Sequence, residues 1–297
     1  MQTEIIISVI IPHYNTPSLL KRCLSTIPDK SEIQVIIVDD NSSSTVVDFN
    51  NFPGDERQNT EIIYNKNSRG AGFARNLALP HARGKWIIFA DADDYFTSNA
   101  WTVIFNQIDK SDADIIYLGI QSVDSDTNEV LHDRGDNYSS NLRNYIRTQN
   151  KEYECLLRFW NNAPWGKIIR HQLIIENNII FGETKHCNDV LFSTKTAIRA
   201  QKIAACPDIC YCVTHRRGSL TQDSSLDAIS MRYEVILQKN QLLRNSGYPK
   251  FQQPIHSYLR SMLPFGFAGI RAFSRLTHKY NGSILNSIMW FFRLRLQ

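Results

Sequence analysis

Residues 85–96 read Lys85-Trp-Ile-Ile-Phe-Ala-Asp-Ala-Asp-Asp-Tyr-Phe96, and they join an apolar run to a cluster of acids. The run from 86 to 90 has the length of a buried strand. Three carboxylates follow within four positions, at Asp91, Asp93 and Asp94. A buried strand that ends in acids delivers them to the carboxyl edge of a sheet, where open α/β folds bind ligands. Because such close like charges repel, we expect a cation nearby.

These acids have two interpretations. The first is a divalent cation, which prefers oxygen ligands and is held by one or two carboxylates and by substrate phosphates. The second is a solvated turn that leads into a helix N-terminus, where the helix dipole favours acids. Both interpretations fit this stretch.

The preceding segments extend this strand into an α/β pattern. The β-branched runs at 5–11 and 33–38 are typical of buried parallel strands, and 61–65 predicts a short strand. Residues 16–27 predict a helix, and 67–79 predict a Gly-containing loop that runs into a helix. This order indicates a parallel sheet with right-handed crossovers.

The later segments continue the pattern less clearly. They predict a strand at 113–122, a hairpin at 124–134, helices at 139–159, 189–201 and 226–245, and one or two strands at 202–214 around Pro207. The remainder of the chain is expected to be helical, basic and aromatic.

Composition places the chain among soluble globular proteins. It has 297 residues, of which 42% are hydrophobic and 21% charged, and this length suits one large domain or one domain with an appendage. No run approaches the ~20 apolar residues that cross a bilayer. The N-terminus, Met1-Gln-Thr-Glu4, has no basic region or cleavage site, so we expect no signal peptide. The six cysteines are then expected to be reduced thiols of a cytoplasmic protein.

Charge is distributed unevenly, although the net charge is only +4. No Asp or Glu follows Glu234, and the same segment carries nine bases: Lys239, Arg244, Lys250, Arg260, Arg271, Arg275, Lys279, Arg293 and Arg295. The asymmetry indicates an acidic partner. Interleaved aromatic residues, Phe265, Phe267, Trp290, Phe291 and Phe292, favour contact with an anionic membrane surface. The alternative is a solvated helix pair packed on the main domain; nucleic acid is not expected, because the bases are spread out.

Two further segments carry residues that could bind a nucleotide: the end of the second strand and the third loop. Asp39 and Asp40 could accept hydrogen bonds from a nucleotide base or ribose, or they could be ordinary turn residues. Arg69 and Arg75 flank the glycines of the third loop, where a guanidinium could clamp a diphosphate. The glycines do not form a dinucleotide-binding fingerprint, since they do not follow the first strand and the third glycine is missing.

Two other groups have both a chemical and a structural interpretation. His186, Cys187, Cys206, Cys210, Cys212 and His215 match no zinc spacing, and the alternation at 210–212 suits a strand with both thiols on one face. Trp160, Trp165 and Lys167 could border an acceptor sugar, or they could pack in the core.

Four motifs, taken together and in order, resemble a known family. Val9-Ile-Ile-Pro-His-Tyr-Asn15, Val38-Asp-Asp-Asn-Ser42, Asn67-x-x-Gly70 with Ala74-Arg-Asn76, and Phe89-Ala-Asp-Ala-Asp-Asp94 are similar to the nucleotide-binding half of the family 2 glycosyltransferases, which are inverting enzymes of the GT-A fold. The middle of the chain is also similar to members that assemble bacterial polysaccharides, in segments 165–170, 179–183, 188–192 and 215–219.

The resemblance implies an α/β GT-A fold, Rossmann-like, with a mostly parallel sheet flanked by helices. It implies a glycosyltransferase domain at 1–225, with a nucleotide-sugar half at 1–110 and an acceptor half at 111–225. Residues 226–297 would form a helical basic extension that could contact a membrane.

The resemblance also implies roles for individual residues. Pro12, Tyr14 and Asp40 would line a uridine pocket, with Asp39 beside them. Asn67 and Ala92 would also belong to the nucleotide site. Arg75 would lie near the uracil or diphosphate, and Asp91 would approach the ribose. Asp93 would ligate Mn²⁺ or Mg²⁺ with the diphosphate of a UDP-sugar. Asp189 would be the catalytic base, although Asn188 replaces the Glu usual in the family. Without the family, Asp189 would be interpreted as a helix N-cap.

The expected activity is inverting transfer of a hexosyl or N-acetylhexosaminyl group from a UDP-sugar to a lipid-linked glycan in bacterial surface polysaccharide synthesis, at the inner face of the cell membrane. One alternative is a sugar-nucleotidyltransferase, which prefers a Gly-rich basic signature after the first strand, where Pro12-His-Tyr-Asn15 stands. Another is a non-catalytic nucleotide- or glycan-binding protein, against which Asp91, Asp93 and Asp189 argue.

Overall fold

The computed structural model describes residues 4–127, 129–132, 134–215 and 223–282. The chain divides into two compact units, Met1–Arg217 and Gly218–Gln297. The strands of the first unit are β1 Ile7–His13, β2 Ile33–Asp40, β3 Thr60–Asn65, β4 Trp86–Phe89, β5 Tyr95–Phe96, β6 Ile115–Asp124, β7 Val130–Leu131, β8 Lys167–Arg170 and β9 Ile203–His215. Its helices are α1 Pro17–Ser25, α2 Ala71–Ala78, α3 Ala100–Lys110, α4 Arg134–Thr148, α5 Lys151–Trp160, α6 His171–Glu176 and α7 Val190–Arg199.

One sheet joins the nine strands of the described part of this unit, in the order β3-β2-β1-β4-β8-β6-β9-β5, with β7 paired to β6. Strands β1 to β4 pair in parallel, and so do β6 and β9 over their long shared length. The antiparallel pairings of β8, β7 and β5 are short. The predicted GT-A-like α/β architecture with a mostly parallel sheet is confirmed.

The first half of the sheet forms as its sequence predicts. β2 is buried along its whole length, and β1 nearly so, as β-branched strands covered on both faces should be. Their register pairs His13 with Asp39, so the polar residues that end the two strands meet at one edge of the sheet. α1 begins with Pro17, whose fixed φ suits the first helical turn.

The second half departs from the sequence in its details. The predicted hairpin is present as β6–β7, and the predicted helix at 139–159 is two helices, α4 and α5. The segment around Pro207 is one strand, β9, whose register against β6 shifts at Leu118, Gly119 and Ile120. A side chain at Gly119 would clash with the Pro207 and Asp208 carbonyl oxygens, at 2.5 and 2.6 Å, so the irregular crossing requires glycine there.

The second unit is helical within its described residues, with α8 Leu226–Asn245, α9 His256–Met262 and α10 Gly266–Lys279. Its core is built around the ring of Tyr233, which stacks on Tyr258 and Phe273 at centroid distances of 5.1 and 4.9 Å. Trp290, Phe291, Phe292, Arg293 and Arg295 lie outside the described residues. Across the described ranges, every helix is too short or too polar to cross a membrane.

Candidate active site

The acids after β4 form a fixed loop, Asp91–Asp94, which we call the acid loop. Asp94 is buried, and its carboxylate accepts hydrogen bonds from the Tyr211 hydroxyl at 2.9 Å and from the Thr214 backbone N–H at 2.7 Å. The next element is the two-residue strand β5, not a helix. The expectation that a helix follows these acids is therefore wrong, whereas the expected turn is present, because the Asp94 backbone N–H donates to the Asp91 carbonyl oxygen at 3.0 Å.

The backbone of Asp93 is held from two sides. Its carbonyl oxygen accepts hydrogen bonds from Arg22 Nη2 at 2.5 Å and from Thr214 Oγ1 at 2.6 Å. Arg22 belongs to α1 and Thr214 to β9, so two distant elements fix this residue. Ala92, which lies between Asp91 and Asp93, is buried.

Close packing of the acids has an electrostatic consequence. Burial raises the pKa of Asp94 well above its usual range, and the negative charges of Asp91 and Asp93 raise it further. The expected cations are present, because Arg22 contacts the loop and Arg75 forms an ion pair with Asp91.

Arg75 connects the acid loop to a second segment of the site. It lies on α2 and is almost fully buried. Its Nη2 is 2.5 Å from Asp91 Oδ1, and its Nη1 donates to Asn188 Oδ1 at 3.0 Å. The guanidinium also lies 5.2 Å from the centroid of the Phe181 ring. Arg75 thus joins the end of β4 to the residue that precedes Asp189.

Helix α2 packs directly against this second segment. A Cβ atom on Gly72 would lie 2.0 Å from the Gly182 carbonyl oxygen and 2.8 Å from Asn188 Cβ. Only glycine permits this approach, and the approach brings Arg75 within reach of Asn188.

Asp189 occupies the N-cap position of α7, but its side chain makes no capping hydrogen bond. Burial raises the pKa of its carboxyl group; the charge of Asp91 adds to this effect, while Arg75 and Lys167 oppose it. The N-cap interpretation is thus correct about position and wrong about the side chain. Asp189 is a half-buried carboxylate within the electrostatic influence of Arg75 and Asp91.

The three residues that could border an acceptor sugar have different environments in the structure. Lys167 is buried, its Nζ donates to the Asn161 carbonyl oxygen at 3.0 Å, and burial lowers its pKa to about 7. Trp165 is stacked with Tyr211 at 6.0 Å between ring centroids. Trp160 is 46% exposed. Lys167 therefore packs in the interior, as the core alternative stated.

Asp39 is tied to the protein by both carboxyl oxygens. It lies 2.8 Å from His13 Nδ1, and it accepts from the Ser42 backbone N–H at 3.0 Å and from the Ser42 hydroxyl at 2.6 Å. Although burial opposes ionisation, these hydrogen bonds lower the pKa of Asp39 below its usual value. Pro12 and Tyr14 flank His13 at the end of β1, where Tyr14 is 54% exposed.

Asp40 organises the third loop, residues 66–70 between β3 and α2. Its carboxylate accepts hydrogen bonds from the backbone N–H groups of Arg69, at 3.1 Å, and Gly70, at 2.6 Å. It also accepts from Asn65 Nδ2 at 2.7 Å and Ser68 Oγ at 3.1 Å. Asp40 is the last residue of β2, and its carboxylate holds a loop that lies 25–30 residues later in the chain. Asn67 lies exposed on the loop that Asp40 holds, and Asn65 donates to its carbonyl oxygen.

Oxygen ligands suited to a hard divalent cation are present in the acid loop. However, Arg75 is paired with the Asp91 carboxylate, and protein donors contact the Asp94 carboxylate. Throughout the described ranges, no group of three or more His, Cys, Asp or Glu side chains is arranged to hold a metal ion. Asp91 and Asp93 are both half-buried, so carboxylate oxygens of the acid loop can reach a cation whose other ligands come from a bound phosphate and water.

Sequence reasoning missed four residues of the site. His13, Arg22, Tyr211 and Thr214 each contact at least one of the predicted acids. His13 lies in the first of the four family motifs and Asp39 in the second, so a contact between them could have been expected. Each of the other three is at least 71 residues in sequence from the acid that it contacts, and no local pattern marks them.

Residues 8–175 match the family model described as Glycosyl transferase family 2. The chain belongs to this family. Membership confirms the resemblance found in the sequence and the enzyme class, a glycosyltransferase. It favours that class over the sugar-nucleotidyltransferase alternative.

The family includes curated relatives of bacterial origin. Glycosyltransferase GlyG of Streptococcus pneumoniae is 25% identical over 221 residues, which are 72% of each chain. The poly(ribitol-phosphate) beta-N-acetylglucosaminyltransferase TarS of Staphylococcus aureus is 25% identical over 240 residues, 77% of this chain and 39% of TarS. The poly(ribitol-phosphate) beta-glucosyltransferase of Bacillus spizizenii is 26% identical over 212 residues, 69% of this chain and 31% of that protein. The chain thus spans only about a third of some of these relatives.

Solved structures share the fold at lower identity. The crystal structure of S. aureus TarS 1–349 in complex with UDP-GlcNAc has a TM-score of 0.62 and 20% identity, and the match covers 94% of this chain and 93% of that one. The mannosyltransferase PcManGT from Pyrobaculum calidifontis, in complex with GDP-Man and Mn²⁺, has a TM-score of 0.55 and 15% identity, over 98% and 79% of the two chains. These likenesses concern the fold and agree with the GT-A architecture.

The contacts of Asp40 predict the effect of Asp40→Asn. An amide in place of the carboxylate directs N–H groups at the part-buried backbone donors of Arg69 and Gly70, and a lost hydrogen bond of this kind costs about 1 kcal/mol. We expect a lower urea midpoint and faster hydrogen exchange at 66–70. Asp48→Asn is the matched control, since Asp48 is exposed and bonds only within its own turn. An Asp40→Asn variant as stable as the control would contradict the structural role of Asp40.

Proposed function

We propose that this protein transfers a sugar from a UDP-sugar to a hydroxyl group of a glycan acceptor, with inversion at the anomeric carbon. The observation that carries the proposal is the double contact of Arg75 with Asp91 and Asn188. These two contacts join the acid loop to the segment that carries Asp189. A nucleotide diphosphate bound at the acid loop and a general base at Asp189 would therefore act in one site.

Asp189 is the proposed general base. The attacking hydroxyl has a high pKa, so a carboxylate must accept its proton as the new glycosidic bond forms. A base is most effective when its pKa lies near the working pH, and burial raises the pKa of Asp189 in that direction. The side chain is not occupied in capping α7. A single base opposite the leaving group gives inversion in one step.

The proposed donor site comprises Pro12, Tyr14, Asp39, Asp40 and Asn67 around the uridine, with Arg75, Asp91 and Ala92 towards the ribose and diphosphate. Arg75 stabilises negative charge that develops on the departing diphosphate, because its guanidinium is fixed before the reaction. A Mn²⁺ or Mg²⁺ ion held by Asp93 would supply further electrostatic stabilisation of that charge. The Mn²⁺ in the related mannosyltransferase structure supports a divalent ion here.

The donor and acceptor follow from the relatives. UDP-GlcNAc is bound in the TarS structure, and the poly(ribitol-phosphate) relatives are named for transfer of glucose or N-acetylglucosamine. These names support a UDP-hexose or UDP-N-acetylhexosamine as donor. We propose a glycan acceptor, lipid-linked, in synthesis of a bacterial surface polysaccharide.

We also propose that the second unit contacts an anionic membrane surface, which would hold the protein at the inner face of the cell membrane. Four exposed apolar residues lie within eight positions: Leu263, Phe265, Phe267 and Ile270. Phe267 is 79% exposed, which is unusual for so large an apolar side chain. Arg260, Arg271 and Arg275 are exposed around them. We call these seven residues the aromatic–basic surface.

The composition of this surface suits a lipid interface. Aromatic rings insert at the level of the headgroups, and each basic residue near an anionic leaflet contributes about 1 kcal/mol. No acidic residue occurs after Glu234 in the sequence, and Glu234 itself forms an ion pair with Lys279.

The donor site is tested by calorimetric titration of UDP with and without Mn²⁺. We expect wild-type protein to bind UDP in a Mn²⁺-dependent manner, and Asp93→Ala to lose that dependence because it removes the proposed ligand. Asp112→Ala is the control, since Asp112 is an exposed acid paired with Lys202. Absence of UDP binding by wild-type protein under both conditions would contradict the donor assignment.

The base is tested with Asp189→Asn. We expect kcat to fall by about 10²–10⁴-fold, the usual contribution of a general base, with UDP affinity unchanged.

Burial raises the pKa of Asp189 above its ordinary value of 3.8, so the folded state loses stability as the pH rises from 3.8 through the raised pKa. Removing the charge should therefore leave the melting temperature at pH 7 unchanged or higher. A variant with wild-type kcat would contradict the assignment of Asp189 as the base. A lower melting temperature at pH 7 would contradict the expected effect of removing the charge.

The membrane proposal is tested by sedimentation with phosphatidylcholine vesicles, with and without phosphatidylglycerol. We expect binding only to the anionic vesicles, weakened by salt because the charges are exposed. Phe265→Ser/Phe267→Ser should reduce binding, whereas Ile175→Ser, at an exposed apolar position of the first unit, should not. Binding that the double variant retains would place the lipid contact elsewhere in the chain.

A further inference from the structure

The hydroxyl of Tyr211 bridges the two ends of the acid loop. It accepts a hydrogen bond from the backbone N–H of Asp91 at 2.9 Å and donates to Asp94 Oδ2 at 2.9 Å. One hydroxyl group therefore satisfies a backbone donor at the start of the loop and a buried carboxylate at its end. These two contacts fix the span that contains Asp93.

The ring of Tyr211 is held independently of its hydroxyl. It is almost fully buried and lies edge-on to Phe96 at 5.2 Å and stacked on Trp165 at 6.0 Å between centroids. Because this packing does not involve the oxygen atom, a phenylalanine at position 211 can keep the ring in place. The hydroxyl contribution is thus separable from the packing contribution.

Thr214, three residues later on β9, adds two contacts to the same loop. Its backbone N–H donates to Asp94 Oδ1 at 2.7 Å, and its hydroxyl donates to the Asp93 carbonyl oxygen at 2.6 Å. β9 therefore fixes the acid loop at three of its four residues: Asp91, Asp93 and Asp94.

We propose that Tyr211 and Thr214 are positioning residues that orient Asp93 toward the divalent cation and diphosphate of the donor. This inference rests on the proposed function, since it assigns a role in the same donor site. Neither side chain needs to touch the substrate. A carboxylate that must meet a metal and a diphosphate together tolerates little displacement, and loss of residues that orient ligands typically costs 10–100-fold in metal affinity.

A purely structural role would have a different signature. If Tyr211 only stabilised the sheet, removal of its hydroxyl would lower the melting temperature without a selective effect on metal-dependent binding. Tyr138 provides the matched control. It is a buried tyrosine of α4 whose hydroxyl donates to the Leu118 carbonyl oxygen at 2.7 Å, away from the acid loop.

The test is calorimetric titration of UDP, with and without Mn²⁺, into the full chain carrying Tyr211→Phe, Thr214→Val or Tyr138→Phe. We expect Tyr211→Phe to weaken Mn²⁺-dependent UDP binding by about 10–100-fold. Any metal-independent UDP binding should be unchanged. Thr214→Val should weaken it in the same selective way, because it removes only the hydroxyl contact with Asp93. Tyr138→Phe should bind as wild type, whatever its melting temperature.

Each outcome has a defined meaning. Wild-type Mn²⁺-dependent affinity in both Tyr211→Phe and Thr214→Val would overturn the inference and leave the proposed function intact. An equal loss in Tyr138→Phe would also overturn it, since the effect would then follow from general destabilisation. If Tyr211→Phe fails to fold, Thr214→Val decides the question. Absence of UDP binding by wild-type protein with and without Mn²⁺ would overturn the proposed function, and this inference with it. UDP binding by wild-type protein that does not depend on Mn²⁺ would overturn this inference alone.

Discussion

The electrostatic cost of placing three carboxylates together at the end of a buried strand constrains the rest of the site. Like charges at this spacing repel strongly where water is largely excluded. Protein donors surround all three acids: Arg75 pairs with the Asp91 carboxylate, Arg22 and Thr214 bind the Asp93 carbonyl oxygen, and Tyr211 and Thr214 bind the Asp94 carboxylate. The acid loop is therefore stable only when these distant elements are in place.

That requirement joins the two halves of the first unit. α2 reaches the acid loop and the segment before α7 through Arg75, and close packing at Gly72 keeps the two segments together. β9 reaches the same loop from the other side. Arg75 is thus the support that the acid loop shares with the segment before Asp189, whereas β9 supports the acid loop.

The sequence predicted the parts of this arrangement that depend on local pattern. The apolar runs of β1, β2 and β4 and the acids that end β2 and β4 could be identified, because strand period and length are local properties. The partners of those acids could not. Tyr211 is 117 residues from Asp94 and Thr214 is 121 from Asp93, and such pairs form only when the sheet order is known. The sequence also did not predict that the Asp40 carboxylate accepts hydrogen bonds from the backbone of the third loop.

The most direct test of the central claim is a crystal structure of this protein with UDP and Mn²⁺, with the metal located by anomalous scattering. The account predicts a Mn²⁺ peak bonded to an Asp93 carboxylate oxygen and to the diphosphate, with Arg75 still in contact with Asp91 and the Asp189 carboxylate facing the space beyond the diphosphate. A nucleotide bound away from the acid loop, or a metal ion coordinated without Asp93, would contradict it.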